Sequence, residues 1–151
     1  MTSTILNTAS AVNLDAARER NLHTWQESSR LLYAGRIEEF VQYWTPDASY
    51  EAALPVPGLP AVITGRDALR AAFSELVASA SWIAVHDVVF HQTADPDVAL
   101  VEERMIARLT DGWRYENRLA IRVTFADDQI AHMLEYYGQF AQAELLTHLG
   151  F

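Results

Sequence analysis

The sequence contains no cysteine. Disulfides, thiolate nucleophiles and cysteine-ligated zinc or iron–sulfur centres are therefore excluded. It contains no lysine either, since all eleven basic residues are arginines. Schiff-base chemistry, lysine-anchored pyridoxal phosphate and a phosphate-loop lysine are excluded in turn. Positive charge is scarce, with a formal net charge of -9. That balance argues against nucleic acid and against an anionic membrane surface, both of which bind through basic side chains. No apolar run approaches the length of a membrane span. Met1 to Val12 has neither the basic start nor the apolar core of a secretory leader, so a soluble, cytoplasmic protein is expected. There is no serine nucleophile elbow, glycine-rich nucleotide loop or phosphate loop. The five histidines, His23, His86, His91, His132 and His148, include no pair at the helical spacing of a metalloenzyme. No metal is expected, and chemistry without a cofactor is the simplest reading.

What remains is ordinary globular material: 151 residues, half of them hydrophobic, enough for one domain with a substantial core. Residues 1–12, rich in Ser, Thr, Asn and Ala, read as a flexible tail, leaving 13–151 as a single domain. Asn13 is placed to cap a helix from Leu14, which Gly35 ends. A second helix covers about Arg36 to Trp44, and a strand about Ala48 to Ala53. Gly65-Arg66-Asp67 opens a third helix, to about Ser79. From Trp82 the apolar period becomes two, giving strands near 82–93, 97–110, 113–125 and 129–139. The predicted class is α+β, a curved antiparallel sheet wrapped around the N-terminal helices.

The dipeptide Asp111-Gly112 reads as a two-residue hairpin turn, pairing Thr110 with Trp113. In that register Glu102, Arg104, Tyr115 and Asn117 share a mainly apolar face suited to a ligand pocket. The other face carries Glu103, Arg114, Arg118 and Arg122, as suits solvent or a subunit interface. A slip of one residue would exchange the faces. Glu102 and Arg104 can equally be an ion pair without chemistry.

Tyr115-Glu116-Asn117-Arg118, the strand through Phe125, the acidic turn Asp127-Asp128, Ile130 and Glu135-Tyr136 resemble the SnoaL-like branch of the nuclear transport factor 2-like superfamily. That superfamily also holds ketosteroid isomerases and polyketide cyclases. Thr45-Pro46-Asp47-Ala48 and Gly65-Arg66-Asp67 match as well, so the resemblance runs from about Leu14 to Phe140. The Glu-Asn pair followed by Glu135 is similar to the phenazine-biosynthesis A/B proteins. The resemblance implies a cone enclosing a deep pocket, a homodimer through the outer sheet face, and Glu135 as the carboxylate that moves protons. The sequence departs from the phenazine pattern at Ala72, where those proteins carry a histidine, and has Gly138 where an aspartate sometimes stands.

Glu135 lies among Met133, Leu134, Tyr136 and Tyr137 without an adjacent arginine. Apolar surroundings raise a carboxyl pKa toward the range of a general acid or base. The alternative is a strand glutamate facing solvent. Tyr115 and Asn117 are candidate donors to a developing oxyanion. Glu102 or His86 is the candidate second acid–base group, and Arg104 the group that orients the ligand. Tyr43, Trp44, Tyr50, Phe73, Trp82 and Tyr137 are candidate walls of a pocket for a flat, apolar ligand, though most such aromatics must fill the core. The expected activity is that of a cofactor-independent isomerase, cyclase or lyase on a small carbonyl-bearing, aromatic or polyketide-like metabolite. A non-catalytic small-molecule-binding or assembly module of the same fold is the alternative. An epoxide hydrolase, needing several polar groups around one water, is a third reading.

Overall fold

The computed structural model describes residues 3–151, with side-chain surroundings from Asn13 onward. Helix α1 (Ser3–Tyr33) begins ahead of the expected Asn13 cap, so residues 3–12 of the expected tail are its first turns. It ends where the sequence places the stop. Gly35 takes φ +72, and the Gly35 and Arg36 N–H groups donate to Leu32 and Leu31 carbonyls, both at 2.9 Å. This is a Schellman closure, which glycine reaches without a Cβ penalty. A buried polar stripe along α1 ties it to the strand turns. The Asn21 amide donates to the Pro96 carbonyl at 2.9 Å, and the Thr24 hydroxyl to the Asp128 carbonyl at 2.8 Å.

Helix α2 (Ile37–Phe40) passes through a 3-10 turn into β1 (Trp44–Ala52), then β2 (Val62–Thr64) and α3 (Arg66–Ala78). Strands β3 (Ala80–Gln92), β4 (Val98–Leu109), β5 (Arg114–Ala126) and β6 (Gln129–Tyr137) follow, and α4 (Gln139–Leu149) closes the chain. The long strands fall where the period of two places them. All join one sheet in the order β2-β1-β6-β5-β4-β3. The class is α+β as expected, but the sheet is mixed, because β1 runs parallel to β6. Alternation within a strand encodes its faces and says nothing of its neighbour's direction.

Helices α1 and α3 pack on one sheet face, against β1, β3 and β6. The core lies there, among Trp25, Leu32, Phe40, Trp44, Leu69, Val101, Ile121, Val123 and Ile130. Each large side chain fully buried in such a core contributes roughly 1.5–3 kcal/mol. Phe40, Trp44 and Phe73 meet with ring centroids 5.0–5.8 Å apart, which joins α2, β1 and α3.

The turn between β4 and β5 decides which side chains face that core. A type I′ turn requires positive φ at both of its central residues. Only Gly112, at φ +93, has it; Asp111 does not, and its carboxylate accepts the Trp113 N–H at 2.9 Å. The loop is therefore three residues long, Thr110-Asp111-Gly112, and Leu109 donates to the Trp113 carbonyl at 2.8 Å. Compared with the two-residue reading, every pair shifts by one: Glu103 lies opposite Leu119, Met105 opposite Asn117, and Arg104 opposite Arg118. The β5 faces stand as read, whereas the β4 faces exchange. Glu103 turns inward with Asn117, and Glu102 and Arg104 turn outward. The β5–β6 turn shows the contrast, with both Asp127 (φ 51) and Asp128 (φ 61) left-handed and Ala126 paired to Gln129.

Candidate active site

Four strands and one helix present polar groups to the interior. Register places Glu103 of β4, Tyr115 and Asn117 of β5, Glu135 and Tyr137 of β6, and Tyr50 of β1 on the inner face. Tyr33 comes from the end of α1, and its hydroxyl donates to Glu103 Oε1 at 3.4 Å. The Tyr50 hydroxyl donates to Glu135 Oε1 at 3.1 Å. Phe73 of α3 packs edge-on against Tyr50, centroids 6.3 Å apart.

Burial pushes the Glu135 carboxyl up to about 7, against the pull of the Tyr50 hydrogen bond and with a further push from Glu103. Burial likewise pushes Glu103 up to about 7, opposed only by the Tyr33 hydroxyl. The two differ in access. Glu103 is 5% exposed, and its Oε2 has no hydrogen-bond partner. Glu135 keeps intermediate exposure as a residue although protein surrounds its carboxyl. Tyr33 and Tyr50 are raised too, first by burial and then by the nearby carboxylates. Each phenol therefore stays protonated and able to donate. The arrangement is two carboxyls that gain or lose a proton near neutrality, each held by a tyrosine, beside an aromatic wall.

Asn117 and Tyr115 are inside, but their donors are occupied. The Asn117 amide donates to the Tyr115 hydroxyl at 2.8 Å and to the Gly138 carbonyl at 3.0 Å, while its Oδ1 accepts the Gly138 N–H at 2.8 Å. Tyr115 in turn donates to Gln142 at 2.9 Å, and burial raises its phenol to about 12. A Cβ on residue 138 would stand 2.6 Å from Asn117 Oδ1, which explains a glycine there. This network docks α4 on the end of the sheet.

The SnoaL-like domain family matches residues 25–133. The chain belongs to that family. The match covers most of this SnoaL-like domain, and solved structures of the same fold agree with it. A phenazine biosynthesis-related protein from Pseudomonas aeruginosa superposes with a TM-score of 0.76 at 19% identity, over 89% of this chain and 90% of that one. Rv0760c from Mycobacterium tuberculosis, in complex with estradiol-17β-hemisuccinate, gives 0.73 at 19% identity, over 81% and 96%. SalBIII, an epoxide hydrolase/cyclase-like enzyme of pyran ring formation in salinomycin, gives 0.69 at 17%, over 82% and 94%. None of the curated proteins compared with the chain matches it.

Within this SnoaL-like domain the expected site residues divide. Glu135, Tyr50, Tyr115, Asn117 and Tyr137 face the interior, and Phe73 packs against Tyr50. Trp44 is 2% exposed and belongs to the core; Tyr43 packs on its edge. Glu102 and Arg104 are on the opposite face because the β4 register is one residue off the expected one, and His86 and Trp82 of β3 join them there, opposite Arg104 and Arg108. Glu102 meets His91 at 2.6 Å, and Arg104 bridges Asp87 at 2.9 Å and Glu116 at 3.1 Å. Trp82 is 51% exposed. A second acid–base role for Glu102 or His86 and a ligand-orienting role for Arg104 do not fit these positions.

Sequence reasoning missed Glu103 and Tyr33. The parity of β4 would have found Glu103, had Thr110 been counted into the turn. Among the described residues, no group of three His, Asp or Glu is placed to hold a metal ion, and no helix is long and apolar enough to cross a membrane. A groove of about 530 Å³ between α1 and the β5–β6 turn lies outside the interior. Its Arg20 and Asp128 are already paired at 3.0 Å.

Proposed function

We propose that this domain is a cofactor-independent enzyme of the isomerase, cyclase or lyase kind, with Glu135 as its general acid–base. The substrate is a small apolar, carbonyl-bearing molecule of aromatic or polyketide-like character. The observation that carries the reading is Glu135 itself, a partly exposed residue whose carboxyl is pushed up to about 7 and held by Tyr50. A group titrating near neutrality both accepts and returns a proton at a useful rate. Glu135 removes the proton next to a carbonyl and redelivers it elsewhere on the same molecule. The outer face, with Trp82, Val89, Leu100 and Tyr136 exposed, is the surface proposed for a homodimer.

Deuterium exchange from heavy water into 2-tetralone, followed by NMR, tests the chemistry. Glu135→Gln should slow exchange by about 10²–10⁴-fold, with the wild-type rate rising through about pH 7. Retained exchange in that variant would remove Glu135 from the mechanism. A wild type without exchange would favour a non-catalytic binding module, the reading suggested by the full occupation of the Asn117 and Tyr115 donors.

A further inference from the structure

Among the described residues, the interior has two carboxyls and no cation to meet them. Arg104, Arg108, Arg114, Arg118 and Arg122 lie on the outer sheet face by register. Arg18 and Arg20 serve the strand turns, Arg30 and Arg36 pair with Glu27 and Glu39, Arg66 donates to the Trp44 carbonyl, and Arg70 meets Glu38 and Asp67. Glu103 Oε2 is buried without any donor, although Glu103 is only 5% exposed. An orphaned buried acceptor is costly and calls for a partner.

We propose that the ligand of this site carries a basic, positively charged nitrogen, seated between Glu103 and Glu135 beside the rings of Tyr33, Tyr50 and Phe73. The proposal rests on the reading of the interior as the ligand site and adds the charge of what binds there. Glu103 lies opposite Leu119, Leu119 opposite Tyr137, and Glu135 is two residues before Tyr137. Ladder spacing puts the two glutamate Cα atoms about 12 Å apart across two strand intervals. Both side chains rise from one face, with Leu119 and Ile121 of β5 on the same face between them. An ammonium offers three N–H donors. Free acceptor capacity waits at Glu103 Oε2 and on Glu135, whose Oε1 takes the Tyr50 hydroxyl. Aromatic faces add cation–π attraction in a desolvated site. An anionic ligand meets no cation there among the described residues.

The raised carboxyls give the binding a direction with pH. A bound cation favours both ionised forms, so binding below about pH 7 releases protons and affinity increases with pH.

Isothermal titration of the full chain with benzylamine, benzyl alcohol and benzoate reads the preference directly. Benzylamine should bind at least about tenfold more tightly than either of the others. Its affinity should rise between about pH 6 and about pH 8, with a heat that depends on the buffer's ionisation enthalpy. The preference should shrink in Glu103→Gln and in Glu135→Gln, isosteric changes whose folding circular dichroism checks. The wild-type series decides by itself should a variant fail to fold. Benzyl alcohol binding as tightly as the amine, benzoate binding best, or no benzylamine binding at millimolar concentration would overturn the proposal. Tetralone exchange without amine preference would leave an enzyme for neutral ketones. Amine preference without exchange would leave a cation-binding domain.

Discussion

Glu102 and Glu103 are adjacent on one strand, yet they live in opposite electrostatic settings. On the outer face, Glu102 sits 2.6 Å from His91, and two strand neighbours, Asp87 and Glu116, share Arg104. The Arg104 guanidinium holds both of those carboxyls below their ordinary values. On the inner face, Glu103 has one long hydrogen bond from Tyr33, and burial pushes it up to about 7. Glu135 behaves in the same way. Outside, charge is compensated and solvated, and Asp87 and Glu116 stay ionised through neutral pH. Inside, charge is desolvated and uncompensated, and the proton stays until about neutrality. One residue type thus faces solvent on one side and is desolvated on the other, by virtue of strand parity.

The largest break in this contrast should come from Glu103→Gln. The unfolded carboxyl ionises above its ordinary value of 4.5, whereas the folded one holds its proton to about 7. Its contribution to stability is therefore complete below 4.5 and is lost as pH rises to about 7, by up to about 3 kcal/mol. Urea denaturation should show the variant more stable than wild type at pH 8, with the gap closing as the pH falls toward 4.5. A constant gap would mean that Glu103 is not desolvated. The outer carboxyls work with the other sign, losing their contribution on acidification, so the comparison with the variant is needed to isolate the inner one.

A smaller effect is expected where the interior polar group is satisfied. Asn117 makes three hydrogen bonds with its amide, two of them to Gly138. Gly138→Ala brings a Cβ to 2.6 Å from Asn117 Oδ1, at a φ of -63 that alanine tolerates. The loss should be about 1–3 kcal/mol, seen as a lower melting temperature and faster amide exchange in α4. Unchanged stability would show that Asn117 can swing aside freely. The smallest effect belongs to Glu116→Gln on the outer face. Its partners Arg104 and Arg114 are solvated, so a slight destabilisation at neutral pH should vanish in high salt.

Much of this was legible in the residues. The Gly35 stop, the change of period at Trp82 and the acidic turn at Asp127-Asp128 name their structures directly, because each is a local rule of backbone conformation. Glu135 was legible through its apolar neighbours and through the resemblance to the SnoaL-like branch. Glu103 was not, because its placement hangs on whether Asp111 adopts positive φ. Aspartate tolerates both, and the Trp113 N–H to Asp111 bond that settles the matter forms only within the closed hairpin. The parallel pairing of β1 with β6 was hidden for a related reason, since it joins segments some eighty residues apart in the chain.

The amino-acid sequence by itself determined the chemistry available: no thiol, no lysine, a surplus of carboxylates, and arginine as the only strong cation. It also determined the order of elements, because capping, turn and period are read within a few residues. Tertiary structure alone decided which carboxylates lost their water and which kept it. That choice is a matter of one residue in a turn, of which face the helices cover, and of where the arginines end up. Desolvation belongs to the assembled surroundings and is encoded in no single residue.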